Sequence, residues 1–336
     1  MKIAFFESPA VNKVIIEQSF GGVEVSFFDE KLDENNVSKA KDADIISVFI
    51  NSVINKDIID LLPNLKFIAT RSTGFEHVDF PYCTQKGILV SYVPSYGDHT
   101  VAEMAFGFIL NLSRNILKAN NYLRETSDFN FSSSFRGFDL NNKTIGVVGT
   151  GRIGKNVVKI AKGFNMKVIA CDLYPDLEFA KINNFEYKSF EEVIRGADII
   201  SLHVPFTKEN NHIINKEVIS KMKKGVLIIN TARGSLIDTE ALIWGINEEI
   251  IGGAGLDVLE DERELKIGNE IFNSNNLLKD IDYKVLTEDR VLINMPNVIV
   301  TPHIAFYSRE AEGEIIKTTI GNIKGFIDGQ PQNLVK

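Results

Sequence analysis

Thr144-Ile145-Gly146-Val147-Val148-Gly149-Thr150-Gly151-Arg152-Ile153-Gly154 carries an apolar run into a GxGxxG turn, and the residues from Arg152 to Phe164 continue with helical spacing. A lone GxGxxG is a weak signal, because glycine turns are common. Between a strand and a helix it has the context that a dinucleotide-binding turn requires. In that reading Gly149 makes the tight turn, Gly151 admits a pyrophosphate and Gly154 lets helix and strand pack closely. The helix start offers backbone N–H groups and a positive dipole end to the phosphates. Asp172 ends the next apolar run, KVIACD, 23 residues after Gly149. A carboxylate there accepts hydrogen bonds from both ribose hydroxyls and repels a 2′-phosphate. Leu173 and Tyr174 follow it, with no Arg or Lys, so the expected cofactor is NAD and not NADP. A βα turn without a ligand and the glycine-rich turn of a methyltransferase are the competing readings.

Outward from this turn, β-branched and aromatic runs alternate with amphipathic stretches. KIAFF, VEVSFF, DIISVFI, KFIAT and ILVSYV precede it, and KVIACD, ADIISLHV, GVLIIN and NVIV follow. Several are apolar at every position, as strands buried on both faces of a parallel sheet are. The class is α/β with right-handed crossovers. The polar segment from Glu125 to Asn142 reads as a loop. The residues after NVIV are fewer than the ~40 that a chain usually needs to fold alone. Their stretch from Arg309 to Ile327 places Ile315, Ile316, Ile320, Ile323 and Phe326 at helical spacing, and the first hundred residues are its expected host. The expected organisation is therefore two doubly wound parallel-sheet domains. One is a discontinuous substrate domain, residues 1–99 with 304–336, and the other is a cofactor domain, residues 100–303.

Composition narrows the function. The 37 basic and 45 acidic residues leave a net charge of −8, which argues against nucleic acid or an anionic membrane as partner. No uncharged apolar stretch approaches the ~18 residues of a membrane-spanning helix. The apolar run in MKIAFFESPA is too short for a signal peptide. The two cysteines, Cys83 and Cys171, cannot build a disulfide framework and suit a reducing compartment. The expectation is a cytoplasmic protein acting on a small molecule.

Three ionisable residues follow three strand candidates. Arg233 follows GVLIIN, Glu262 follows GGAGLDVL and His303 follows NVIV. The ends of parallel strands lie on one sheet edge, the edge of the glycine turn, where ligands of such folds bind. Arg can grip the carboxylate of a 2-oxo acid and polarise its carbonyl. His can supply the proton that a developing alkoxide needs, and a carboxylate on its other ring nitrogen favours the imidazolium. Taken singly, Arg233 reads equally well as a solvated loop residue, and Glu262 as part of a wet acidic turn with Glu260, Asp261 and Glu264. His303 alone reads as structural. Convergence carries the argument. His77, His99 and His212 have weaker claims, and His203, at the end of ADIISLH, is placed to line the cofactor site. No G-x-S-x-G turn and no metal-ligand spacing is present.

The stretches GVVGTGRIG, SLHVPFT, NTARGSLID, GLDVLEDE and TPHIAFYS resemble the D-isomer-specific 2-hydroxyacid dehydrogenases in content and order, over essentially the whole chain. The resemblance implies two Rossmann-like/flavodoxin-like domains and an NAD-dependent enzyme reducing 2-oxo acids to D-2-hydroxy acids. It implies Arg233, Glu262 and His303 as the catalytic trio, with Glu262 taken over Glu260 because it lies five residues after Asp257. By the same resemblance Arg152 and Ile153 touch the pyrophosphate, Val204 and Pro205 lie under the cofactor beside His203, and Asp257 contacts the nicotinamide amide region. Thr100, Asn210, Thr231 and Ala232 complete that set with Arg233. Thr73 and Gly74, within Arg71-Ser72-Thr73-Gly74-Phe75, match the loop that holds the substrate carboxylate, and Tyr96 matches a pocket tyrosine; Arg233 and His303 also face substrate. The aromatic Phe306-Tyr307 after the histidine and the long stretch 263–295 resemble the D-lactate branch. A branched-chain 2-hydroxyacid dehydrogenase and an NAD(H)-sensing corepressor-like protein remain as alternatives. The family implies a homodimer formed through the cofactor domain.

Overall fold

The computed structural model describes residues 1–8, 10–130, 132–260, 262 and 283–335; most of the long stretch 263–295 lies outside the described residues. The chain forms two compact units, Met1–Tyr96 with Tyr307–Lys336, and Gly97–Phe306.

The first unit opens with β1 (Lys2–Phe5), α1 (Ala10–Ser19), β2 (Glu24–Phe27), β3 (Ile45–Val48), α2 (Lys56–Asp60), β4 (Phe67–Thr70), α3 (Phe80–Lys86) and β5 (Leu89–Ser91). Its sheet runs β2-β1-β3-β4-β5, with every pair parallel. That is the flavodoxin-like order, whose switch point falls between β1 and β3. β3 and β4 are buried at every residue, which is why IISV and FIAT are apolar or small throughout.

The second unit contains α4 (Asp98–Arg114), α5 (Ile116–Thr126), β6 (Thr144–Val148), α6 (Arg152–Gly163), β7 (Lys167–Cys171), α7 (Leu177–Ile182), β8 (Glu186–Tyr187), α8 (Phe190–Gly196) and β9 (Ile199–Leu202). It continues with α9 (Lys216–Ser220), β10 (Val226–Asn230), α10 (Thr239–Asn247), β11 (Ile251–Leu256), α11 (Tyr283–Asn294) and β12 (Val298–Val300). Its seven strands run β12-β11-β10-β9-β6-β7-β8, all parallel. Strand order reverses between β6 and β9, so the glycine turn after β6 stands at the switch point. One core layer packs α8, α9 and α10 on the sheet; the other packs α4 and α6 on it.

The chain then returns to the first unit as α12 (Arg309–Ile327), capped by Ser308, whose hydroxyl accepts from the Ala311 N–H. Ile316, Ile320 and Ile323 join Ile3, Ile45 and Phe67 in one buried cluster, and Phe326 stacks on Phe67 with ring centres 4.5 Å apart. Each such side chain removed from water contributes on the order of 1.5–3 kcal/mol. α4 ends at Arg114, because Asn115 adopts a left-handed conformation (φ +51°) that Asn tolerates, and α5 begins a new direction. β8 is two residues long and carries no periodicity to read. Among the described residues no helix is long and apolar enough to cross a membrane.

Candidate active site

The glycine turn has the shape its spacing implies. Gly149 has φ +91°, and a Cβ there would lie 2.8 Å from the His203 carbonyl. A Cβ on Gly154 would lie 2.0 Å from the carbonyl oxygen of Gly149, so α6 meets its own turn with no room for a side chain. Gly151 is the opposite case: nothing lies within 4 Å of its Cβ position. That open space is beside a helix start which no side chain caps, whereas Asp176, Ser189, Asn215 and Asp238 cap α7 to α10. Asp172 is fixed at the end of β7. Its Oδ2 accepts from the Thr150 N–H (2.6 Å) and hydroxyl (3.0 Å), and its Oδ1 accepts from the Tyr174 N–H (2.9 Å). Lys155 is paired with Asp176 at 2.5 Å.

Two buried polar atoms on the same sheet edge have no partner among the described residues: Nδ1 of His203 and Oγ1 of Thr231. Buried polar groups are normally satisfied, so the pair marks a place for a polar ligand. Burial pushes the His203 imidazole down to about 3, leaving it neutral at pH 7, with Nε2 against the Ser201 hydroxyl at 2.8 Å. An open glycine turn, an uncapped helix start, a fixed carboxylate and two orphaned donors or acceptors together fit a dinucleotide.

Beyond β10, β11 and β12 the edge holds the ionisable groups. Asn230, buried at the end of β10, accepts from the Ala232 N–H (3.0 Å) and donates to the Arg233 carbonyl (2.8 Å), closing the turn that presents Arg233. Nη1 of Arg233 donates to the Ala232 carbonyl at 2.8 Å. His303 lies beyond β12, and its Nδ1 stands 2.8 Å from Oε2 of Glu262. Its backbone is left-handed, with φ +57°, a region that costs a non-glycine residue on the order of 1 kcal/mol or more. Asp257 holds it there. This carboxylate, 1% exposed, accepts from the Thr301 hydroxyl (2.5 Å) and from the Ile304 (2.9 Å) and Ala305 (2.7 Å) N–H groups. Its backbone carbonyl accepts from the His303 N–H (2.9 Å). Burial raises the Asp257 pKa against the pull of these donors.

The other expected residues fall in several places. Thr100 lies in the first turn of α4, and Arg152 and Ile153 open α6. Val204 and Pro205 follow β9, and Val204 meets the Gly149 turn. Asn210 turns both ends of its amide onto its own loop, accepting from the Thr207 N–H and donating to the Pro205 carbonyl. In the first unit, Thr73 donates its hydroxyl to the Val93 carbonyl (2.8 Å), and Ser72 donates to the Gly74 carbonyl (2.6 Å). The loop these residues form begins at Arg71, whose buried guanidinium donates to Ser47 Oγ and to the carbonyls of Phe6 and Glu7. Tyr96 is the last residue of that unit's first segment. Sequence reasoning passed over Asn230 and the anchoring role of Arg71. A lone amide or guanidinium at the end of an all-apolar run is the signal that could have found them, since such a group must find buried partners. Among the described residues no group of three or more His, Cys, Asp or Glu could hold a metal ion.

The profile of the D-isomer specific 2-hydroxyacid dehydrogenase NAD-binding domain matches residues 106–305. The chain is 35% identical to the D-lactate dehydrogenase of Escherichia coli, with 100% of each chain covered. It is 39% identical to an aromatic 2-oxoacid reductase of Clostridium sporogenes, covering 91% of this chain and 89% of that one. The crystal structure of D-lactate dehydrogenase from Aquifex aeolicus complexed with NAD and lactic acid superposes with a TM-score of 0.85 at 34% identity, covering 98% of this chain and 96% of that one. With this fold, this glycine turn and these relatives, the chain belongs to the D-isomer-specific 2-hydroxyacid dehydrogenases, NAD-dependent oxidoreductases.

Proposed function

We propose that the protein is a D-lactate dehydrogenase, interconverting pyruvate and D-lactate. The 2.8 Å contact between His303 and Glu262, on an edge shared with Arg233, carries the reaction type, and the whole-chain likeness to D-lactate dehydrogenases supports the substrate. Bound NAD(H) supplies the hydride to the substrate carbonyl carbon or takes it back. Arg233 binds the 2-oxo acid through its carboxylate and carbonyl oxygen, as a forked cation can. His303, with Nδ1 engaged by Glu262, donates its Nε2 proton to the carbonyl oxygen and recovers it as a base in the reverse direction. Asp257 acts on His303 through the loop it clamps. Thr73, Gly74 and Tyr96, all in the first unit, are the further substrate-binding candidates that the family resemblance gives.

A second reading keeps this chemistry and enlarges the substrate, and it is favoured by the 39% identity to an aromatic 2-oxoacid reductase. Steady-state comparison of pyruvate, 2-oxoisocaproate and phenylpyruvate separates the two. The first reading requires the highest kcat/KM on pyruvate, and a preference for either larger acid replaces it by the second.

A homodimer and a cytoplasmic location belong to the same proposal. Ile116, Leu117, Leu123 and Phe129 stand exposed along α5 and just after it, an apolar row that a second copy would cover. Light scattering would give a mass of two chains if this holds and of one if it does not.

A further inference from the structure

Glu260 looks like surplus charge in an acidic turn, yet its carboxylate is fully engaged. Oε1 meets Nε2 of His212, and Oε2 accepts from the Thr239 hydroxyl (2.9 Å) and N–H (3.3 Å). Its side chain is 22% exposed and that of His212 is 34% exposed, so the contact is half-buried. Three chain segments meet at this one carboxylate. The first is the turn that carries Glu262 two residues later. The second is the start of α10, six residues after Arg233. The third is the segment around His212, which is itself laced to the Arg233 side. The His212 N–H donates to the Ser235 carbonyl (2.9 Å), the Ile214 N–H donates to the Leu236 carbonyl (3.0 Å), and Ile214 bridges Ile237. Backbone packing at the same point leaves no slack, since a Cβ on Gly234 would lie 1.8 Å from the Leu259 carbonyl oxygen.

We propose that Glu260 and His212 are positioning residues of this active site: their contact fixes the Glu262 turn against the Arg233 turn, and so sets the Glu262–His303 pair in register with the substrate-binding arginine. The inference rests on the roles given above to Arg233, Glu262 and His303. Among the described residues, Glu260 is the side chain that ties the acidic turn to its neighbours, because the other carboxylate of the turn, Glu262, is spent on His303. Small errors here are costly, because a displacement of about 1 Å in a reacting group can lower turnover on the order of 100-fold.

The variants Glu260→Ala and Glu260→Gln test this on the full-length protein. An amide of the same shape keeps an acceptor for Thr239 and a donor for a neutral His212 nitrogen, so only the alanine breaks the tie. Glu260→Ala is expected to lower kcat by ~10-fold or more while NADH affinity changes by less than about 2-fold, and Glu260→Gln to recover most of the turnover. An unchanged kcat in Glu260→Ala overturns the proposal. So does a glutamine variant as impaired as the alanine, or a loss of turnover matched by equal losses of NADH binding and thermal stability. A second measurement does not depend on turnover. With five histidines in the chain, each imidazole proton signal is assignable by single His→Gln variants. Glu260→Ala should move the signals of His212 and His303 and leave that of His77, in the other unit, in place. An unmoved His303 signal overturns the proposal even in a preparation that reduces no 2-oxo acid, a result that would count against the dehydrogenase reading separately.

Discussion

His303 is held in a left-handed backbone by a buried aspartate and aimed by a glutamate 41 residues earlier, so its side chain can be changed while its surroundings remain. His303→Gln should bind NADH with near wild-type affinity and lose ~10²–10⁴ in kcat, the usual worth of a general acid–base group, checked by fluorescence titration beside initial rates. Arg233→Ala should cost about 3 kcal/mol, or ~10² in kcat/KM, with KM raised, since truncation leaves a substrate carboxylate unpaired. His203 has a different signature. Its folded-state pKa, about 3, lies below the unfolded value, so the unfolded chain binds the extra proton and stability is lost as pH falls from about 6.5 towards 3. Melting curves across that window should therefore be steeper in pH for the wild type than for His203→Gln, and parallel curves would refute the burial argument. The candidate trio could be picked out of the sequence because each member is an ionisable residue just past an apolar run, with Glu262 set apart from Glu260 only by the family resemblance. Asp257 was legible as a position but not as a clamp, and Glu260 read as wet surface. Their partners Ala305 and His212 are each 48 positions away, and no local period relates such residues.

The glycine turn was the most legible element, because tight turning, close packing and ligand approach each exclude a side chain at a fixed offset. Two of its three glycines make separable predictions. Gly151→Ala meets no protein atom, so its melting temperature should match the wild type while NADH affinity falls ~10-fold or more, the methyl group taking ligand space. Gly154→Ala drives a methyl into the Gly149 carbonyl, and should lower both stability and NADH binding. Equal melting temperatures for the two variants would show that the turn relaxes. In the first unit, Ile323→Ala in α12 should cost about 2–5 kcal/mol in denaturant unfolding, because Ile323 is fully buried against the sheet. The strands were readable as apolar runs covered on both faces of a sheet, and that helix by apolar residues recurring at helical spacing along one buried stripe. α5 was not, because it starts at a backbone reversal on Asn115 and buries no side chain of its own.

For the molecule as a whole, two parallel sheets of five and seven strands place a dinucleotide-binding edge and an Arg, Glu and His constellation in one unit, and Thr73 and Gly74, proposed above to bind substrate, in the other. What the fold does not encode at the backbone level is which 2-oxo acid is used, since that depends on a few side chains. The measurement that bears most directly on the account is NADH consumption by the purified protein with pyruvate, with the lactate formed assayed for handedness. Saturable NADH oxidation giving D-lactate alone, and collapsing in His303→Gln, is the predicted result. L-lactate, or NADH bound tightly with no oxidation by pyruvate or by longer 2-oxo acids, would contradict it.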